Sequence, residues 1–147
     1  MEWSFVSDPA GWTVEGRLLL GGRAEGEALV LDEPLSFWGG FDTRTGLVCD
    51  ERHAQRGVSL AGRVVVMPSG RGSSSSSSVL AEAIRLGTGP AAIILAEPDG
   101  IIVLGALVPR LLDGRLCPVL VLERATYDRL RSGDQVRIED ARLSIVR

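Results

Sequence analysis

The rhythm of apolar positions changes several times along the chain. Residues 13–20 and 27–31 read as short strands, and the Gly21-Gly22-Arg23 turn between them predicts a β-hairpin. From 32 to 62 neither a helical nor a strand period persists, and Pro34, Gly39-Gly40, Gly46 and Gly57 punctuate the segment. A loop this long inside a compact domain is usually functional. The pattern then tightens. Arg63-Val64-Val65-Val66-Met67, residues 91–96 and residues 118–122 are short, nearly unbroken apolar runs, the signature of strands buried on both faces.

Between the first two runs, residues 79–86 are strong helix formers with apolar side chains at 79, 80, 83, 84 and 86, and Gly87 stands at a natural stop. Strand, helix and strand in this spacing form a βαβ unit, which implies parallel pairing and a right-handed crossover. Residues 104–112 predict a second crossover helix closed by Asp113-Gly114, although Pro109 inside it costs about 3 kcal/mol. A short helix is expected over 125–131. Residues 135–138 and 142–146 alternate around Glu139-Asp140-Ala141 as a closing hairpin. The expected fold is α/β: a mixed, partly parallel sheet with crossover helices and a hairpin at each end. With 147 residues and no internal repeat, a single domain over 1–147 is expected.

Composition narrows the chemistry. The chain is 45% hydrophobic and 24% charged, a globular balance rather than a disordered one. Its net charge of −3 argues against a nucleic-acid partner, which usually meets a basic stripe. All 16 basic residues are arginine, so a Schiff-base lysine and a phosphate-loop lysine are both excluded. One histidine and two cysteines cannot make a four-ligand Cys/His zinc site unaided, and no metal site is expected in this chain. Cys49 and Cys117 lack Cys-x-x-Cys spacing and read as buried, reduced thiols. The start, Met1-Glu2-Trp3-Ser4-Phe5 followed by Asp8-Pro9, lacks the basic and apolar regions of a signal peptide. The longest apolar run, 101–108, is far short of the roughly 20 residues that span a bilayer. A cytoplasmic protein without a membrane partner is the expectation.

The most unusual stretch is Pro68-Ser69-Gly70-Arg71-Gly72 followed by six serines, Ser73 to Ser78. A Ser/Gly linker is one reading, but a linker separates domains, and this run sits between a buried strand and its crossover helix. An anion-binding turn is the other. Glycines let the backbone approach a ligand, serines cap the helix, amides at its N-terminus face an anion, and Arg71 adds a bidentate clamp. The Gly-x-Gly-x-x-Gly fingerprint fails at Ser75, and the Gly-x-Ser-x-Gly hydrolase elbow is absent.

Three segments together carry a family resemblance: Leu35-Ser36-Phe37-Trp38-Gly39-Gly40-Phe41-Asp42, residues 53–57, and Met67-Pro68-Ser69-Gly70-Arg71-Gly72-Ser73-Ser74. They resemble the small subunit, or swivel domain, of aconitase X, over roughly residues 28–122. The resemblance implies a swivelling β/β/α fold and membership of a hydro-lyase. Its large subunit binds an iron–sulfur cluster, and the small subunit closes over the site. The implied substrate is a small hydroxy acid. Of the two candidates, cis-3-hydroxy-L-proline (the bacterial branch) is favoured over mevalonate 5-phosphate (the archaeal one).

In the wider aconitase superfamily the corresponding turn reads Gly-Ser-Ser-Arg-Glu, with its first serine as the base. Carried across, Gly72-Ser73-Ser74 match and Ser73 becomes the general base, with Ser74 the alternative; the sequence departs at Ser75 and Ser76. Arg71, Gly72, Ser74, Gly39 and Gly40 are the candidate substrate-binding residues, and His53 either lines the site with them or is a surface loop histidine.

A serine hydroxyl is far from ionised at neutral pH, and each unit of pKa shift requires about 1.4 kcal/mol. A helix N-terminus offers up to about 2 kcal/mol, a guanidinium adds to it, and desolvation of the anion opposes both. The turn therefore supports an alkoxide only transiently, in a closed and dry site. Other residues keep two readings: Phe37-Trp38 as core or as subunit interface, Asp42 and Asp50 as solvated turn residues or as members of the site. The competing class is a stand-alone anion-binding or interaction module without catalysis.

Overall fold

A computed structural model describes residues 11–146. The N-terminal segment read above for targeting signals lies outside them. Eight strands form one continuous sheet: β1 (Trp12–Glu15), β2 (Arg17–Leu20), β3 (Arg23–Val30), β4 (Val64–Val66), β5 (Ala92–Leu95), β6 (Val119–Val121), β7 (Gln135–Glu139) and β8 (Arg142–Val146). Their order is β1-β8-β7-β3-β4-β5-β6-β2. The pairs β3–β4, β4–β5 and β5–β6 are parallel and the rest antiparallel, so the sheet is mixed as expected. Four helical segments accompany it: α1 (Phe37–Gly40), α2 (Ser75–Leu86), α3 (Gly100–Asp113) and α4 (Arg124–Tyr127).

The unbroken apolar runs become β4, β5 and β6, and each alternates its side chains between two cores. On one side Val65, Met67, Ile93, Leu95 and Val119 meet Leu80, Ala83 and Ile84 of α2 and Ile102 and Ala106 of α3. On the other, Val64, Val66, Ala92, Ile94 and Leu120 meet Tyr127, Leu130 and the inner faces of β7 and β8. Helices, parallel strands and antiparallel strands thus stack as three layers.

The N-terminal hairpin does not form. Residues 13–20 split at Gly16 into two strands on opposite edges of the sheet, β1 on β8 and β2 on β6. Gly16 makes the crossing possible: its amide donates to the Ala141 carbonyl at 2.8 Å, and a Cβ there would lie 2.9 Å from the Val121 carbonyl oxygen. The expected turn glycines answer to a distant loop instead. Gly22 N–H donates to Asp140 Oδ1 at 3.0 Å, and Asp140 N–H returns to the Gly22 carbonyl at 2.9 Å.

Strand β3 begins at Arg23, four residues before the predicted start, because Arg23 and Glu25 pair across to Glu139 and Arg137 at 3.4 and 3.1 Å. Helix α3 starts at Gly100, capped by Asp99, and runs through a buried Pro109; packing of its apolar face outweighs the lost hydrogen bond. The helix expected over 125–131 is a single α-helical turn that continues to Leu130 through i→i−3 bonds.

The segment from 32 to 62 is ordered despite its lack of period. Isolated bridges join Leu35 to Gly70, Phe41 to Val48 and Leu47 to Ser59. Leu35, Phe37, Phe41, Val48 and Leu60 plug it into the helix-side core.

Candidate functional site

Because β3, β4 and β5 run parallel, the loops leaving their C-terminal ends gather along one edge, the usual position for a site in an open α/β sheet. Three loops meet there: residues 35–40 after β3, 67–74 after β4 and the Asp99 corner after β5. Helix α2 begins inside the serine run at Ser75, four residues earlier than its apolar period suggests. Its first turn is built by the serines themselves. Ser73 Oγ accepts the Ser75 amide at 3.3 Å, the Ser73 carbonyl accepts the Ser76 amide at 3.0 Å, and Ser77 Oγ donates to the Ser74 carbonyl at 2.7 Å.

Gly72 and Ser73 are exposed at this turn, and so is Ser74. Gly72 has φ +104°, a backbone state that side chains rarely adopt, and a Cβ on it would come 2.5 Å from Ser36 Oγ. Asp99 ties the turn to α3: Oδ2 accepts the Gly70 amide at 3.0 Å while Oδ1 accepts the Ile101 and Ile102 amides at 3.0 and 3.2 Å. The Arg71 amide donates to the Leu35 carbonyl at 3.3 Å, joining the turn to the loop after β3.

That loop divides its aromatics. Phe37 is buried and packs edge-on to Phe41 with centroids 5.4 Å apart, whereas Trp38 is 62% exposed. Trp38 is held through its backbone: its amide donates to Ser76 Oγ at 3.2 Å, and Ser36 Oγ donates to its carbonyl at 2.8 Å. Ser76 is only 3% exposed, so this hydroxyl is an internal strut between α1 and α2. Gly39, at φ +84°, has open space where a side chain would be, and Gly40 is buried against Leu35 and Asp50.

Arg71 reaches Asp50, with Nη2 to Oδ2 at 3.5 Å. Asp50 is itself fixed by its turn, since Oδ1 accepts the Arg52 amide at 3.0 Å. A cleft of about 70 Å³ lies between the turn and α3, lined by Phe37, Arg71, Gly72, Ser76, Asp99 and Ile102. Substrate pockets usually hold roughly 300–1,000 Å³. Alone, this cleft does not enclose a ligand of that size. A larger cleft of about 510 Å³ at the Gly16 bend, bordered by Val14, Arg17, Leu122 and Glu123, contains none of the serine-turn residues.

The structure brings Arg71, Gly72, Ser73, Ser74, Gly39 and Gly40 to neighbouring loops, but it sets His53 apart. The His53 side chain is fully buried; Nδ1 accepts the Gln55 amide at 3.0 Å, which leaves Nε2 to donate to the Glu33 carbonyl at 3.2 Å. Both nitrogens are engaged by main chain of the same loop, so the imidazole orders that loop and neither nitrogen is left for a substrate. This geometry favours a structural role for His53 within its loop over a ligand contact.

Two partners of the site escape a reading of the sequence, Asp99 and Ser76, while Asp50 stands there between a turn role and a site role. Of the two, only Asp99 carries a local signal, as an Asp directly before an apolar helical run.

The two cysteines differ. Cys49 is exposed rather than buried, because the neighbouring Val48 takes the inward position. Cys117 is buried, and desolvation pushes its thiol up to about 12. At pH 8 a disulfide reagent should therefore label one thiol in the native protein and two after denaturation. Because the Cys117 pKa is raised on folding from 9.0 to about 12, protonation favours the folded state below pH 9, and that stability is lost as pH rises towards 12. Alkaline denaturation of Cys117→Ala, compared with the parent, reads this directly: the variant should lose less stability over that window.

The iron–sulfur cluster implied by the sequence resemblance does not fit this donor set. Among the described residues no three His, Cys, Asp or Glu side chains converge as a metal-binding group. Cys117 holds its proton in the core and Cys49 stands alone.

Comparison with known proteins agrees with the geometry. The family profile "Aconitase X swivel domain" matches residues 13–146. The chain is 45% identical over 131 residues to a cis-3-hydroxy-L-proline dehydratase of Pseudomonas aeruginosa, spanning 89% of this chain but 22% of that protein. It is 36% identical over 126 residues to a phosphomevalonate dehydratase small subunit of Methanosarcina acetivorans, covering 85% of this chain and 83% of that one. The crystal structure of holo-form aconitase X from Thermococcus kodakaraensis superposes with a TM-score of 0.80 at 34% identity, over 92% of this chain and 98% of its counterpart. With the profile spanning nearly every described residue and the fold in agreement, this chain belongs to the aconitase X swivel-domain family.

Proposed function

We propose that the chain is the small, single-domain subunit of a hydro-lyase that dehydrates a small hydroxy acid, cis-3-hydroxy-L-proline being the substrate. The observation that carries this reading is the exposed Gly72-Ser73 turn at the start of α2, at the C-terminal edge of the parallel strands. In this role Ser73 Oγ passes its own proton to the departing hydroxyl and, as a transient alkoxide, takes the proton from the carbon next to the one bearing that hydroxyl. A double bond forms between those carbons, the carbon–oxygen bond breaks, water leaves and Ser73 is returned to its hydroxyl form. The start of α2 and Arg71 stabilise negative charge on Ser73 during the transfer. Arg71 also engages the substrate's anionic group, with the Gly72 and Ser74 backbone beside it; Gly39 and Gly40 leave room for the substrate to approach.

The cleft is too small to enclose a substrate, which supports a large aconitase X subunit as the partner, in a heterodimer or larger assembly. The Pseudomonas relative carries the matching region as a fifth of a longer chain, which fits two parts working as one enzyme. The reading assigns the iron–sulfur cluster to that partner and the assembly to the cytoplasm. A second reading, dehydration of mevalonate 5-phosphate, is favoured by the separate small subunit of Methanosarcina acetivorans, which matches almost end to end.

Co-expression with the large subunit tests the proposal. The two chains should purify together and consume cis-3-hydroxy-L-proline. Consumption of mevalonate 5-phosphate instead moves the assignment to the second reading. A chain that stays alone and inactive is an anion-binding or interaction module.

A further inference from the structure

The Arg71–Asp50 pair is an odd arrangement for a site that binds only anions. Sites for phosphate or several carboxylates gather arginines; here the guanidinium of Arg71, two residues before Ser73, faces a carboxylate. The contact is also unsaturated. At 3.5 Å, Nη2 and Oδ2 lie beyond a good charge-assisted hydrogen bond, so each retains capacity for another partner. Arg71 is 53% exposed in its side chain and Asp50 25%, so both can be reached from outside.

Neither group is loosely placed. The Arg71 amide is tied to the Leu35 carbonyl and the next two residues are Gly72 and Ser73. Asp50 Oδ1 caps the Arg52 amide, and its Cβ packs where a side chain on Gly40 would stand, 3.5 Å away. The second oxygen is therefore presented towards Arg71 by a fixed turn. The two charges form a small dipole whose positive end, Arg71, lines the cleft and stands two residues before the serine.

We propose that Arg71 and Asp50 together form a subsite for a zwitterionic α-amino acid, Arg71 taking its carboxylate and Asp50 its ammonium, so that Asp50 is a specificity-determining residue. The inference rests on the proposed dehydratase reading and deepens it. In an amino acid the two charged groups are borne on one carbon, so they can lie antiparallel to the Arg71–Asp50 dipole and meet both charges at once. A substrate with anionic groups alone gains Arg71 but meets repulsion from Asp50, and a phosphate ester with its extra charge meets more. Closure of a partner over the site would sharpen the discrimination by removing water.

The ordinary alternative is a surface ion pair that merely steadies Arg71. Equilibrium binding to the assembled two-subunit enzyme separates the two, using non-reacting probes. L-proline carries both charges, and cyclopentanecarboxylate has a five-membered ring and carboxylate without the ammonium. In the parent, calorimetry should show L-proline binding about ten-fold or more tightly than cyclopentanecarboxylate. Asp50→Asn, which keeps an oxygen for the Arg52 amide, should bring the two within about two-fold by weakening L-proline and strengthening the anion. Asp50→Glu should keep the preference.

Equal weakening of both probes by Asp50→Asn overturns the proposal, because Asp50 then only orients Arg71. A parent enzyme that does not prefer L-proline, or binds neither probe, overturns it too. Failure of the dehydratase reading is distinguishable: turnover would be absent while the binding preference and its loss in Asp50→Asn remain.

Discussion

In the proposed two-subunit enzyme, replacing Ser73 with alanine should leave the assembly folded while lowering kcat by about 1,000-fold or more, the range expected when a positioned base is removed. The structural cost is small. Ser73 is exposed, its side chain makes a 3.3 Å bond to the Ser75 amide, and loss of one such bond costs about 1 kcal/mol. The main-chain bond from the Ser76 amide to the Ser73 carbonyl survives the substitution, so α2 still begins in place.

A lost base affects the chemical step, so kcat should fall with KM little changed. Ser74→Ala is the control within the same turn. Only the Ser74 carbonyl is used in the helix start, so this variant should keep activity within a few-fold. Near-normal turnover in Ser73→Ala would remove Ser73 from its role, and collapse of Ser74→Ala instead would move the base by one residue. Co-purification and a thermal melt of each variant separate chemistry from assembly.

Gly72→Ala should lower kcat by about 100-fold while costing only part of the stability, since an error of about 1 Å in placing a reacting group has that effect. Two strains act together. At φ +104° a side chain is held in a disfavoured backbone state, and its Cβ would sit 2.5 Å from Ser36 Oγ. Relief requires the turn to rotate, and Ser73, the next residue, moves with it. The strain is worth about 1–3 kcal/mol, so the melting temperature should drop by several degrees rather than the fold being lost.

Adding Ser36→Ala removes the nearest clashing atom but not the backbone strain. The double variant should therefore recover some stability and little activity. A Gly72→Ala enzyme with parental kcat and a lowered melting temperature would show that the geometry of this turn does not govern the reaction.

What the sequence discloses depends on where the physical cause lies. Strands β4, β5 and β6 are legible because burial on both faces leaves an unbroken apolar run. The first half of β3 is hidden because Ala24 and Gly26 offer little apolar contrast to Arg23 and Glu25, and its support comes from β7, more than a hundred residues away. The false hairpin has the same origin: Gly21-Gly22 has turn chemistry, but Asp140 engages it.

Helix α2 is read four residues short because serine is a poor helix former, and its start depends on hydroxyl bonds that periodicity does not reveal. The site follows the same rule. Arg71, Gly72 and Ser73 are consecutive and stand out. Asp50, Asp99 and Ser76 act through contacts separated by 21, 29 and 38 residues; the local pattern leaves Asp50 between turn and site, marks Asp99 only as a helix cap, and does not distinguish Ser76 from its neighbouring serines. His53 stood out as the lone histidine, yet rarity carried no information about which way its ring faced.

The split at Gly16 has a consequence for how the molecule comes into being. Trp12 is in register with Ile145, so the first described strand has no neighbour until the last has been synthesised. The stretch from β4 to β6, with α2 and α3 between, needs only nearby chain and can organise much earlier. During translation the serine turn would thus take shape while β1 is still an unpaired edge, open to strands from other chains. The β1–β8 seam then acts as a latch that closes only once β8 has emerged from the ribosome, and the aggregation hazard of this fold is concentrated in the interval before it shuts.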